Sequence, residues 1–222
     1  MNNVKQQFRR LLACAAFVLC GPAPYAAASV IVVDNGAPDH LTGNNLGFAF
    51  QAEDFNLVTG ATLNGIRFWS LEGDGAYRGR INWSIRQNSG SDAPGALVAT
   101  GTQAAVTRTA LGNYGGLAEF RNEFALNAPL TLGPGSYWLV LHNGVPGNLG
   151  DPNEFLWEST VDNNTARGVE RFARSGPWST TGTEHAFQVS AVPEPAQVLM
   201  LLMGVSLLAC LKRRDQRSGN FA

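Results

Sequence analysis

Leu130-Thr131-Leu132-Gly133-Pro134-Gly135-Ser136-Tyr137-Trp138-Leu139-Val140-Leu141 reads as two β-strand ends joined by a tight link. β-Branched and aromatic residues suit a pleated, half-buried surface. Gly-Pro-Gly between them supplies a preset φ and freedom to turn. Upstream, Ile81, Trp83 and Ile85 alternate with Asn82, Ser84 and Arg86, the period of a half-buried strand. Residues 29–34 form an apolar run that stops at Asn35-Gly36, and residues 47–55 place Phe48 and Phe50 on one face. Residues 63–71 and 155–160, 169–173 and 186–191 are further strand candidates, with a weaker pair over 97–106. Residues 117–126 (LAEFRNEFAL) carry helix-spaced Phe120 and Phe124, yet Gly115-Gly116 and Asn127-Ala128-Pro129 flank them, which favours a strand. Short strands with Gly-rich turns predict an all-β domain, a β-sandwich or jelly roll. Its expected core is Ile31, Val33, Phe48, Phe50, Ile66, Phe68, Ile81, Trp83, Ile85, Phe120, Trp138, Val140, Phe155, Trp157 and Phe187.

Two greasy segments bracket this domain. At the front, Lys5, Arg9 and Arg10 precede an apolar run and Ala26-Ala27-Ala28 follows, the layout of a secretory signal peptide over residues 1–28. At the back, Val192-Pro193-Glu194-Pro195 leads into an uncharged helix over about 196–211, then Lys212-Arg213-Arg214. Two prolines hold the spacer extended. Sixteen helical residues span ~24 Å, short of a ~30 Å hydrocarbon core, a gap closed by local thinning or by snorkelling of Lys212 and Arg213. The basic cluster stays cytoplasmic, which places the domain at 29–191 across the inner membrane.

The tail resembles the PEP-CTERM sorting signal of Gram-negative bacteria. The resemblance rests on Val192, Pro193, Glu194 and Pro195, the helix, and Lys212, Arg213, Arg214 and Arg217, together residues 192–217. It implies recognition by an exosortase, a membrane protease-transpeptidase linked to exopolysaccharide production. Signal peptidase and the Sec export machinery are the other partners expected. Within the domain, residues 33–39, 52–55, 65–69 and 135–139 are similar to stretches of cargo proteins that carry this signal. That similarity implies a β-sandwich and no particular activity.

Charge narrows the function. Between the two ends stand nine arginines, no lysine and fifteen Asp and Glu residues. An acidic domain is a poor binder of nucleic acid, which needs a basic face. All three cysteines, Cys14, Cys20 and Cys210, lie in the end segments, so the domain has neither disulfide nor thiolate metal site.

No catalytic motif is present, and no catalytic residue is assigned: there is no Gly-x-Ser-x-Gly elbow, no His-Glu-x-x-His and no phosphate loop. Glu119 and Glu123 on one strand would stand about 13 Å apart, too far for a glycosidase pair. No cofactor is called for. A structural Ca2+ is the ion that oxygen-rich stretches at Asp34, Asp39 and Asp54 suit, although such residues also make ordinary turns. Aromatic rings beside polar neighbours are candidates for stacking on sugars: Trp178 in a Ser-Gly-Pro-Trp-Ser-Thr-Thr-Gly loop, then Trp69 and Tyr77. The expectation is a non-enzymatic exported surface or matrix protein that associates with exopolysaccharide. The alternative is a small secreted carbohydrate-active enzyme on the same route.

Overall fold

A computed structural model describes residues 29–145, 147–161, 168–193 and 203–204. The expected signal peptide at 1–28 lies outside the described residues, as does the expected membrane helix at 196–211 apart from helical Met203 and Gly204. Among the described residues, no helix is long and apolar enough to cross a membrane.

Two antiparallel sheets share one core. The seven-stranded sheet holds β1 (Val30–Asp34), β2 (Pro38–Asn45), β4 (Ala61–Glu72), β7 (Thr107–Tyr114), β8 (Leu117–Leu132), β10 (Phe155–Thr160) and β13 (Phe187–Val192). The six-stranded sheet holds β3 (Phe50–Leu57), β5 (Ile81–Ser89), β6 (Ala93–Gln103), β9 (Gly135–Asn143), β11 (Val169–Arg171) and β12 (Ser179–Thr180), in the order β12-β11-β3-β9-β5-β6. Long β4 has β8 along one side and β13 and β10 end to end along the other.

Period-two patterning sets which side chains meet. Phe68, Phe124, Phe155, Trp157 and Phe187 from one sheet pack against Phe55, Ile81, Trp83, Ile85, Leu139 and Leu141 from the other. Residues 117–126 are strand, as their flanks favour, because β8 is held on both sides by β4 and β7. The Leu130–Leu132 end belongs to this same strand. Gly133-Pro134-Gly135 therefore carries the chain from one sheet to the other rather than closing a hairpin, and Gly135 takes a φ of 148°.

Some expected core residues sit elsewhere. Ile31 is 50% exposed because β1 is an edge strand with β13 as its partner. Phe48 is 46% exposed: the Asn45 side chain accepts hydrogen bonds from the Gly47 and Phe48 amides, forming a turn, and β3 begins two residues later. Trp138 and Val140 are buried, but on the outer face of the six-stranded sheet, with Ala52 and Val169 and flanked by Phe50 and Trp178. The unbroken apolar run of β9 is explained by burial on both of its faces.

Candidate functional site

The outer face of the six-stranded sheet carries the most developed surface. Cross-strand register puts Ala52, Val140, Ser84 and Thr100 in one row, and Phe50, His142 and Asn82 with Thr102 in the next. These rows floor a groove of about 350 Å3, whose walls include Arg86, Arg171, Arg174 and Leu97. The Arg171 guanidinium lies 4.5 Å over the Trp178 ring and 5.3 Å over Phe50. Burial, and then the neighbouring Arg86, lower its affinity for a proton. Arg86 donates to the Gly95 carbonyl at 2.8 Å.

Two buried polar atoms of groove-lining residues lack a hydrogen-bond partner: His142 Nε2 and Arg171 Nε. His142 is held by Nδ1 against the Leu46 carbonyl at 2.9 Å, and burial lowers its pKa. The neutral ring with its proton on Nδ1 leaves Nε2 as an acceptor. The groove thus combines aromatic faces, guanidinium groups, hydroxyls and unused hydrogen-bonding capacity, the ingredients that hold a polar ligand with flat apolar patches.

Of the three aromatic candidates, Trp178 belongs to this face. Trp69 is only 8% exposed on the outer side of the other sheet, opposite Arg121. Tyr77 packs against Phe155 at 5.8 Å with Arg108 4.3 Å above its ring, which ties it to the core. No local sequence pattern brings Arg86, His142 and Arg171 together. Their convergence depends on strand register across β3, β5, β9 and β11.

The proposed Ca2+ residues do not come together. Asp34 accepts from the Gly36 amide and from Gln188, Asp39 accepts from the Leu41 amide, and Asp54 lies in the other sheet opposite Trp138. Among the described residues, the acidic and histidine groups that converge are His40, Glu119 and Glu158. Between Glu158↔Gly43 and Thr160↔Pro38 the register of β10 and β2 slips, so residues 39–42 arch away from the pairing. His40, at φ 60°, sits in this arch. Its Nδ1 is 3.2 Å from Glu119 Oε1 and 3.6 Å from Glu158 Oε1, and its ring stacks on Tyr114 at 4.4 Å. Burial, and then the Glu119 charge, push Glu158 up to about 8. Glu123, four residues along β8, pairs with Arg67 instead.

A third constellation is sealed inside the sandwich. His185 Nδ1 meets Glu53 Oε2 at 2.8 Å, its Nε2 faces the Asn44 side-chain amide at 3.0 Å, and Trp157 stacks on its ring at 4.6 Å. Both His185 and Glu53 are 0% exposed, so the pair reads as structure rather than as a reaction centre.

The family model of the PEP-CTERM protein-sorting motif matches residues 191–217. The chain therefore carries that motif, which implies an exported protein processed by an exosortase and anchored transiently in the membrane. No curated protein matches the chain.

Proposed function

We propose that this exosortase-sorted protein is a non-enzymatic component of the cell surface or extracellular matrix that holds an acidic exopolysaccharide on the outer face of its six-stranded sheet. The observation that carries this reading is the groove where Arg86, Arg171 and Arg174 gather on a domain with an excess of acidic residues. Guanidinium forks match carboxylate geometry, and the buried Arg171 Nε is an unused donor for such a group. Phe50 and Trp178 beside it present rings that suit the apolar faces of sugars. Ser84, Thr100 and Thr102 provide hydroxyl partners along the same floor.

The experiment is affinity electrophoresis of the purified chain through gels containing polygalacturonate or, in parallel, neutral dextran. Retardation by the uronate polymer alone, relieved in Arg171→Ala and in Trp178→Ala, is the expected result. Equal mobility in both gels would remove the polysaccharide reading. Release of reducing ends from either polymer would instead favour a carbohydrate-active enzyme. The specific observation on that side is the pair of buried carboxylates at Glu119 and Glu158, one of them holding its proton up to about 8.

A further inference from the structure

We infer that His40, Glu119 and Glu158 bind a divalent transition-metal ion of the zinc class, which clamps the 39–42 arch onto the outer face of the seven-stranded sheet. Glu119 and Glu158 are 1% and 0% exposed, side by side on a sheet face. Two carboxylates in one buried site resist ionising together, and a cation between them relieves that cost. Glu158 Oε2 has no hydrogen-bond partner, and Glu119 Oε1 faces the His40 imidazole at 3.2 Å without forming a hydrogen bond, so each carboxylate keeps an acceptor unused.

The spacing of the imidazole from both carboxylates suits a coordination shell. Zinc binds imidazole nitrogen and carboxylate oxygen at about 2.0–2.2 Å in a tetrahedron, whose ligand atoms then stand about 3.3–3.6 Å apart. His40 Nδ1 is 3.2 Å from one carboxylate oxygen and 3.6 Å from the other. One ligand atom from each of the three residues can be chosen so that all lie within 4.8 Å of one another. Calcium, which takes six to eight oxygens, is poorly served by an imidazole and two carboxylates. A neutral imidazole and two carboxylates balance the charge of a divalent ion. The His40 side chain is 43% exposed, so water can reach the remaining position.

The backbone around the site is set for this task. His40 is one of two non-glycine residues with positive φ among the described residues, a conformation that costs about 1 kcal/mol for an ordinary side chain. Its amide donates to Glu158 Oε1 at 3.1 Å, and Tyr114 braces its ring from β7. The arch therefore delivers one nitrogen ligand over two carboxylates supplied by β8 and β10.

The test uses the full chain in detergent, stripped with chelator, with its three cysteines alkylated so that thiolates do not compete. Zn2+ is titrated by calorimetry and by thermal unfolding, and Co2+ is used as the visible-absorption probe of coordination. Expected are a higher Tm with Zn2+, a Co2+ d–d spectrum of a low-coordinate N/O site, and no comparable shift with Ca2+. Glu119→Gln, Glu158→Gln and His40→Asn should each weaken Zn2+ binding at least tenfold while keeping the far-ultraviolet spectrum of the β-sandwich. Asn tolerates the positive φ, so the third variant removes the ligand and keeps the turn. No Zn2+ or Co2+ binding by the unmutated chain would overturn the assignment, and so would undiminished binding in the three variants. Neither outcome bears on the polysaccharide groove, which lies on the opposite sheet.

Discussion

His185 Nδ1 and Glu53 Oε2 lie 2.8 Å apart with no solvent access to either side chain, and the same oxygen accepts the His185 backbone amide at 2.9 Å. The contact ties the chain just before β13 to the middle of β3, and so one sheet to the other. Burial pushes His185 down to about 3, while burial, and then Glu184, hold Glu53 well above the usual carboxylate range. Both shifts favour the uncharged forms.

An acid limb of stability follows. In the unfolded chain His185 takes up a proton near pH 6.5, but in the fold it does so only near 3. Stability from this residue is full above about 6.5 and falls by up to about 1.4 kcal/mol per pH unit below it. Glu53 keeps its proton in the fold but ionises above about 4.5 in the unfolded chain, so it contributes the opposite slope. Urea unfolding of Glu53→Gln at pH 7.0 and 5.0 isolates the His185 slope. Adding His185→Ala should flatten that slope, and His185→Ala alone should cost about 3 kcal/mol at pH 7, since it strands Glu53. Glu53→Gln, which keeps the acceptor, should cost much less.

An alkaline limb has a different origin. Glu158 holds its proton up to about 8 in the fold against 4.5 ordinarily. Its contribution is therefore complete below pH 4.5 and drains away as pH rises through 8. In chelator, Glu158→Gln should match the unmutated chain at pH 4.5 and exceed it in urea midpoint at pH 8.5. Equal midpoints at both values would show that the carboxyl ionises normally.

Gly43 lets β2 approach β10. A Cβ there would meet the Trp157 carbonyl oxygen at 2.4 Å and its carbon at 2.9 Å, both backbone atoms that cannot swing aside. Gly43→Ala should cost about 2–3 kcal/mol and loosen the arch that follows Pro38. Urea unfolding gives the first number, and amide hydrogen exchange at residues 39–42 reads the second.

Retention by polygalacturonate should weaken with salt, because contacts between guanidinium groups and carboxylates are screened. Arg171→Ala should lower affinity about tenfold at low ionic strength and reduce the salt dependence. Trp178→Ala should lower affinity with little change in that dependence, as expected for ring stacking.

Replacing Glu194, or Lys212, Arg213 and Arg214 together, should leave a longer, membrane-retained product, seen by intact mass and fractionation. Normal maturation of those variants would reduce the tail to a plain anchor.

Much of the fold was legible from alternation. Ile81, Trp83 and Ile85 face the shared core as their spacing predicts, and the flanking turn residues correctly decided between strand and helix for 117–126. Strand β2 was not, because Pro38–Asn45 holds a single large apolar residue, Leu41, and pairs only through a slipped register. Which outer face would be covered was also hidden: Trp138 and Val140 follow the pattern of core residues yet pack under Phe50 and Trp178. The His40 cluster draws on residues 79 and 118 positions apart in the chain, a proximity created by sheet pairing alone.

Strand β13 lies between β1 and β4, and the sorting motif begins at Ala191, inside that strand. Only Pro193 separates the last paired residue from Glu194. The paired cargo thus ends one residue short of the motif's glutamate, which leaves little chain between the two. A protease that needs several extended residues ahead of the motif would have to peel β13 from the middle of the sheet. Lengthening the junction with a few flexible residues should then speed maturation, making the spacing between cargo and signal a tuning point for release.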